Sequence, residues 1–503
     1  MKLNRLFILC AAMLVGVLAQ SCCCDSGISG ENYKFEDGMI VFDEPSRAAG
    51  QESMLGFAAD PIPVVRVGFI GLGQRGPGAV NRFTHIDGVE IKGLCDLEQS
   101  NVDKCQNMLK SAGMPEAGSY VGPEAYKELC ERDDVDLIYI ATDWIHHVPI
   151  ALYAMEHGKH VAIEVPAAIS VEECWQLVDT SERTRRHCMM LENCVYDFFE
   201  LTCMNMAHQG VFGEILHAEG AYIHNLSDFW DSYHSNWRLD FNQKHRGDVY
   251  ATHGFGPVCM ALNIHRGNKL NYLVCMDSKS VNGLEKAAAK MGSTEFANGD
   301  HTSTLVKTEL GQTIEIQHNV YTPRPYNRLY QLTGSKGFAN KYPISGFTFL
   351  PGQIPSDVLK GATVEAQKID LSKIDPASIP EATLNPHSFV SPAVQNAIMQ
   401  AYKHPIHREI EETAKKVGGH GGMDFLVLSA FGEAALNDKK PPIDVYDAAT
   451  WMAVTYLSEQ SIATGSTSIP FPDFTDGMWI DREPYERGRY CLDEVCTDFY
   501  DVK

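Results

Sequence analysis

With 503 residues, the chain is long enough for two or three domains. Its 44% hydrophobic and 21% charged residues make an ordinary globular composition rather than a disordered one. A formal net charge of −23 argues against nucleic acid as a partner, because neutralising phosphates needs clustered Lys and Arg.

The N-terminus reads as a targeting segment. Lys2 and Arg5 form a basic start, and the apolar stretch from Leu6 to Leu18 is too short to span a bilayer. It ends in Leu18-Ala19-Gln20-Ser21-Cys22, which resembles the lipobox of bacterial lipoproteins. That resemblance makes residues 1–24 a signal segment with Cys22 as the lipidated residue. It implies an exported protein held on a bacterial membrane by a lipid anchor alone, on the periplasmic or outer-membrane side. Asn4-Arg5 stands where a twin-arginine signal has Arg-Arg, so a chain exported unfolded would have to load any cofactor outside the cytoplasm. Residues 25–60 are polar and Gly-rich without sustained periodicity, and read as an arm.

The βα alternation begins at Pro63. Val64 to Ile70 is a short apolar run with β-branched residues, the pattern of a buried parallel strand. Gly71-Leu72-Gly73-Gln74-Arg75-Gly76 follows and fits G-x-G-x-x-G at a strand-to-helix junction. The three glycines serve a tight turn, close backbone approach to a pyrophosphate and close helix–strand packing. The helix N-terminus behind the turn offers free N–H groups to the phosphates. A second strand, Val89 to Cys95, ends in Asp96, whose carboxylate can hold ribose hydroxyls and repel a 2′-phosphate. NAD is therefore the expected cofactor.

Further strands are expected at 136–141, 160–164 and 187–191. The helices between them are placed at 77 onward, 99–113, 148–157 and 170–186. Gly158 is a plausible C-cap, and Ser170 with Glu173 forms a capping-box pattern. Ligands of such sheets bind beyond the carboxyl ends of the strands. That edge is where Trp144, His147, Glu164, Val165 and Asn193 fall: a Trp can cover a nicotinamide, and the polar residues can hydrogen-bond ribose, sugar or amide.

After about residue 195 the rhythm changes. Segments 214–223, 302–309, 313–320, 328–332 and 346–350 read as strands without long helices between them, a mostly antiparallel sheet. Residues 351–390 read as a long connection or lid. The segment 441–463 is helical, with a Tyr446, Trp451 and Leu457 stripe expected in the core. The predicted fold is α/β: an N-terminal Rossmann domain with a doubly wound parallel sheet over 61–195, then an α+β domain with C-terminal helices over 196–503.

Of the fifteen cysteines, Cys95, Cys188 and Cys275 sit singly in apolar stretches and read as buried thiols. Cys491 and Cys496 are the only local disulfide candidate, with free thiols as the alternative. No C-x-x-C or H-E-x-x-H occurs, so no metal site is expected. Tyr250 and His253 are two titratable groups three residues apart, suited to proton transfer if the segment is helical. A packed core pair is the alternative. Gly254-Phe255-Gly256-Pro257 beside them points to a close backbone approach, and Arg238 beside Trp237 also fits a surface cation–π pair.

Distinctive words run through the chain: W-I-H-H (144–147), L-E-N-C-V-Y (191–196), Y-A-T-H-G-F-G-P (250–257), R-P-Y-N (324–327), G-H-G-G-M-D (419–424) and D-V-Y-D-A-A-T-W (444–451). In this order they resemble glycoside hydrolase family 109, NAD-dependent α-N-acetylgalactosaminidases within the Gfo/Idh/MocA oxidoreductase superfamily. The resemblance covers roughly residues 64 to 480. It implies a carbohydrate substrate and a glycosidase that oxidises sugar C3, eliminates the C1 substituent, adds water and re-reduces. It implies His253 and Tyr250 as the acid/base pair, without deciding which takes the C2 proton, and Tyr222, Arg238 and Tyr326 as further sugar contacts. Pairing of open sheet faces in a homo-oligomer also follows from the superfamily. The chain departs from the commoner oxidoreductases in having Glu164-Val165-Pro166 where they have E-K-P, so their catalytic lysine is absent. A sugar dehydrogenase or epimerase, and a non-catalytic sugar-binding lipoprotein, remain the alternatives.

Overall fold

A computed structural model describes residues 33–36, 39–42, 44–48, 50–480 and 487–493. The signal segment with Cys22, and Cys496, lie outside the described residues. Strands β1 (Tyr33–Glu36) and β2 (Met39–Phe42) form an antiparallel hairpin of their own. The body begins at Pro45.

The body's first layer is a six-stranded, all-parallel sheet in the order β5-β4-β3-β6-β7-β8. Its strands are β3 (Val65–Ile70), β4 (Val89–Asp96), β5 (Gly118–Val121), β6 (Leu137–Ile140), β7 (His160–Ile163) and β8 (Cys188–Met190). β6 and β7 are buried throughout, as continuous apolar strands between helical layers must be. β5 and the helix Ala125–Cys130 were not legible in sequence, because this short edge strand carries no buried residue to mark a face.

Three local differences have physical causes. The helix expected from Val148 begins at Trp144, because Trp144, His147 and Val148 are all buried and the first turn is held by packing. Helix Val171–Thr184 is capped by Ser170 Oγ, which accepts from Glu173 N at 3.1 Å, but the Glu173 carboxylate closes on Ile169 N (2.8 Å) rather than Ser170 N. Residues 45–48 and 50–60, part of the expected arm, form a strap tied down by individual hydrogen bonds: Arg47 Nε donates to Glu182 (2.8 Å), Gln51 Nε2 to Asp179 (3.0 Å), and Met54 N to the Tyr446 hydroxyl (2.8 Å). Such point contacts leave no periodic signature.

The second sheet has eight strands in the order β15-β14-β13-β9-β12-β11-β10-β16. They are β9 (Ile215–Ile223), β10 (Leu270–Asp277), β11 (Thr302–Thr308), β12 (Thr313–Asn319), β13 (Asn327–Gly334), β14 (Gly337–Asn340), β15 (Gly346–Phe349) and β16 (Ile469–Pro470). Only β9 and β12 pair in parallel. The expected connection 351–390 contains a helix, Ser356–Gln367.

Helix Thr252–Ala261 lies against β9, and here glycine is required: a Cβ on Gly254 would overlap Ala221 N, and one on Gly220 would overlap the Gly254 carbonyl oxygen. Helix Val445–Ala463, with Asp444 and Asp447 forming a capping box, packs on both helix Val171–Thr184 and β10. Tyr446, Trp451 and Leu457 are fully buried in it. The ten described cysteines, Cys491 included, are all buried. No described helix is long and apolar enough to cross a membrane.

Candidate active site

A cavity of about 640 Å³ opens where the carboxyl ends of β3, β4, β6 and β7 face β9 and helix Thr252–Ala261. Every expected cofactor and sugar residue except Gly76 and Tyr326 lines it.

The glycine loop shows three separate needs. Gly71 has φ +91°, and a Cβ there would overlap the Ala141 carbonyl oxygen; one on Gly76 would overlap the Gly71 carbonyl oxygen. Gly76 thus lies beneath the loop and serves its fold. A Cβ on Gly73 would meet nothing within 4 Å, so at this residue the loop presents open backbone to the cavity. No side chain caps helix Gly76–Phe83, so its N-terminus can face a pyrophosphate, although Pro77 has no N–H and Ala79 N donates to Arg75 O (3.2 Å).

Asp96 accepts from Leu72 N (2.6 Å), Glu98 N (2.9 Å) and Asn101 Nδ2 (3.0 Å). A carboxylate has about four lone-pair positions, so the residue braces the glycine loop and keeps roughly one acceptor position for the cavity. The expected grip on both ribose hydroxyls is narrowed accordingly. Gln74 Nε2 donates to Ser232 Oγ at 2.7 Å, joining the loop to the substrate side. Arg75 reaches two carboxylates, Glu164 and Asp424, each at 3.4 Å. Glu164, then Asp424, hold its guanidinium well above the usual range against burial.

His147 lines the cavity between the loops after β6 and β7, with Nδ1 2.7 Å from Pro166 O and Nε2 3.2 Å from Thr142 O; a neutral ring donates to only one of the two carbonyls. Burial lowers its pKa. Trp144 packs in an aromatic box, stacked on Tyr250 (centroids 5.6 Å apart) and edge-on to Phe241 (5.0 Å). Glu164 accepts from the Tyr139 hydroxyl (2.7 Å), beside buried Val165, and Asn193 Nδ2 donates to Asp424 Oδ1 (2.6 Å).

At the other end, Tyr222, Arg238, Tyr250 and His253 converge. The Tyr222 ring lies 4.7 Å from Tyr250 and 5.3 Å from His253, and the Tyr250 and His253 rings are 5.1 Å apart. Tyr250 precedes the helix and His253 is in its first turn. Arg238 is buried, so the surface pair with Trp237 is not formed; its guanidinium sits 4.6 Å over Tyr250 and 5.0 Å over Trp144. Its Nη1 donates to the Tyr233 hydroxyl (2.8 Å), whereas Nε and Nη2 are buried without an acceptor. Such orphaned donors at a cavity wall fit a polar ligand. Burial pushes Tyr222 up to about 12 and raises Tyr250 well above its ordinary value, so both phenols are neutral donors.

Tyr326 is a correction. It sits at the rim, 42% exposed, edge-on to the cavity-lining His224 at 5.0 Å, because its loop leads away into β13. Four residues without an assigned role join the site: Glu192 behind His253, Asp424 behind Arg75 and Asn193, and His224 and His420 on the wall. Glu192, Asp424 and His420 lie inside the sequence words noted above, but nothing in those words shows which side chains meet. Among the described residues, Glu192, Cys194 and His253 also cluster at metal-ligand spacing, though the carboxylate is already spent on His253 and Cys194 N.

The family models agree with this division of labour. "Glycosyl hydrolase 109, C-terminal domain" matches residues 196–481, and "Oxidoreductase family, NAD-binding Rossmann fold" matches 65–192. The chain is 54% identical over 460 residues to glycosyl hydrolase family 109 protein 1 of Bacteroides fragilis, covering 91% of this chain and 94% of that one. It is also 54% identical over 443 residues to the family 109 protein of Porphyromonas gingivalis, covering 88% and 90%. Among solved structures, levoglucosan dehydrogenase in complex with NADH superposes with TM-score 0.57 at 15% identity, over 81% of this chain and 99% of that one. Myo-inositol dehydrogenase from Lactobacillus casei, in complex with NAD(H) and myo-inositol, gives 0.52 at 14% identity, over 83% and 100%. These structural likenesses speak for the fold alone. The open glycine loop and the matched Rossmann domain make NAD the cofactor, and the chain belongs to glycosyl hydrolase family 109.

Proposed function

We propose that the chain hydrolyses α-N-acetylgalactosaminides or related glycosides with a retained, recycled NAD. The observation carrying this reading is that one cavity holds both the glycine loop and the Tyr222–Arg238–Tyr250–His253 cluster. A dinucleotide on the loop would share this cavity with a sugar held among proton carriers. Gly71, Gly73, Gln74 and Asp96, with Trp144, Glu164, Val165 and Asn193, would hold NAD. When bound, NAD supplies the acceptor and later the donor of the hydride at sugar C3.

The protein's own groups handle protons and position. A C3 ketone acidifies the neighbouring C2 proton, and His253 accepts it. Tyr250, a neutral phenol kept protonated by burial, donates toward the departing C1 oxygen. The free Nε and Nη2 donors of Arg238 orient a sugar hydroxyl or amide carbonyl, with Tyr222 alongside. Elimination of this kind avoids an oxocarbenium-like transition state, so the flanking carboxylate pair of ordinary glycosidases is not required. Val165 at the position of the superfamily's lysine fits a site whose proton acceptor lies elsewhere.

The test is an aryl α-N-acetylgalactosaminide assay on protein lacking residues 1–24, following aryl release and NADH absorbance together, with and without added NAD. Aryl release over many turnovers without net NADH is the expected result. NADH accumulating in step with substrate loss, without aryl release, would replace the reading by a sugar dehydrogenase.

A further inference from the structure

We propose that Glu192 is a positioning residue that sets the tautomer and aim of His253. Glu192 follows β8 at the sheet's carboxyl edge and has no exposed surface. Its Oε1 and Oε2 lie 2.7 and 3.0 Å from His253 Nδ1, and Oε1 also accepts from Cys194 N at 2.9 Å. An ionised carboxylate only accepts, so the shared proton belongs to Nδ1. In the neutral ring the lone pair is then on Nε2, the nitrogen left for the cavity that His253 lines. Glu192 itself does not line the cavity and acts through the imidazole.

The helix carrying His253 is shaped around this contact. Gly254 brings it onto the backbone of Gly220 and Ala221. One turn beyond His253, a Cβ on Gly256 would stand 3.1 Å from Glu192 Cγ and 3.0 Å from the Trp451 ring. The second glycine therefore leaves room for the carboxylate. Burial alone would raise the Glu192 carboxyl, but the facing His253 and the hydrogen bonds it receives outweigh this and hold it below its ordinary value. Besides Glu192, the titratable groups around His253 are Cys194, Tyr222, Tyr250 and His224, with the Arg238 guanidinium over the Tyr250 ring.

The inference rests on His253 as the proton acceptor in the proposed reaction. In NAD-loaded E192Q, kcat should fall by about 10²-fold with KM little changed. E192D should restore part of kcat. Histidine-selective ¹⁵N spectra of the NAD-loaded parent, with His253 assigned by its loss in H253A, should show the Nδ1–H tautomer.

An unchanged kcat in folded, NAD-retaining E192Q would overturn the proposal, and so would an Nε2–H tautomer in the parent. If E192Q does not fold, E192D and the parent spectrum decide. If the parent releases no aryl group, the glycosidase reading fails while the spectrum still judges Glu192.

Discussion

Asp424 accepts from Asn193 at 2.6 Å and also receives Arg75, Arg82 and His420, so one carboxylate on the C-terminal helix Met423–Leu436 holds two cavity-lining residues of the Rossmann half. Burial opposes its ionisation, but His420, Arg75 and Arg82 together hold it well below the ordinary carboxylate range. Its stabilising contribution is therefore present above the unfolded value of 3.8 and is lost only as pH falls far below it. Asp424→Ala should cost about 2–3 kcal/mol, less than a fully buried pair because Arg75 stays a third exposed. It should also let NAD escape during purification, read as cofactor content after denaturation.

His253→Ala and Tyr250→Phe should each reduce aryl release by roughly 10²–10⁴-fold while leaving NAD content unchanged. Either variant losing its cofactor instead would recast that residue as part of the binding surface.

Glycines of one loop should fail differently. Gly71→Ala meets both a positive φ and the Ala141 carbonyl, and should lose about 2–5 kcal/mol of stability in thermal melts. Gly73→Ala meets no protein atom and should melt like the parent, yet weaken NAD binding by roughly tenfold or more.

Asp248 is fully buried, and burial raises its carboxyl to about 7. The folded chain thus binds this proton more tightly than the unfolded chain. Its contribution favours folding most below 3.8 and declines as pH rises through about 7. Asp248→Asn should remove that decline, worth on the order of 4 kcal/mol, which melts between about pH 4 and pH 8 would show.

The lipid anchor is a proposal from the N-terminal residues alone. Cys22→Ala should abolish incorporation of labelled fatty acid and move the protein from the membrane to the soluble fraction; labelling that persists would assign the anchor to another residue.

Much of this was written locally. Apolar strands in a fixed rhythm, three glycines at a strand end and Asp96 twenty residues on are short-range patterns, readable because backbone geometry demands particular residues at particular spacings. The same holds for the Ser170 cap and for the glycines around His253, which announced a close approach without naming its partner.

Pairings across the chain were decided only by the tertiary structure. Glu192 and His253 are 61 positions apart, and Asn193 and Asp424 are 231 apart. No local propensity encodes such contacts; they exist because two sheets and the C-terminal helices close around one cavity. That closure leaves Tyr326 at the rim, although its sequence word gave it the same standing as the residues inside. Residue type and spacing determined the fold class and the cofactor. Long-range packing, which alone sets which polar groups lose water and which partners satisfy them, decided the site.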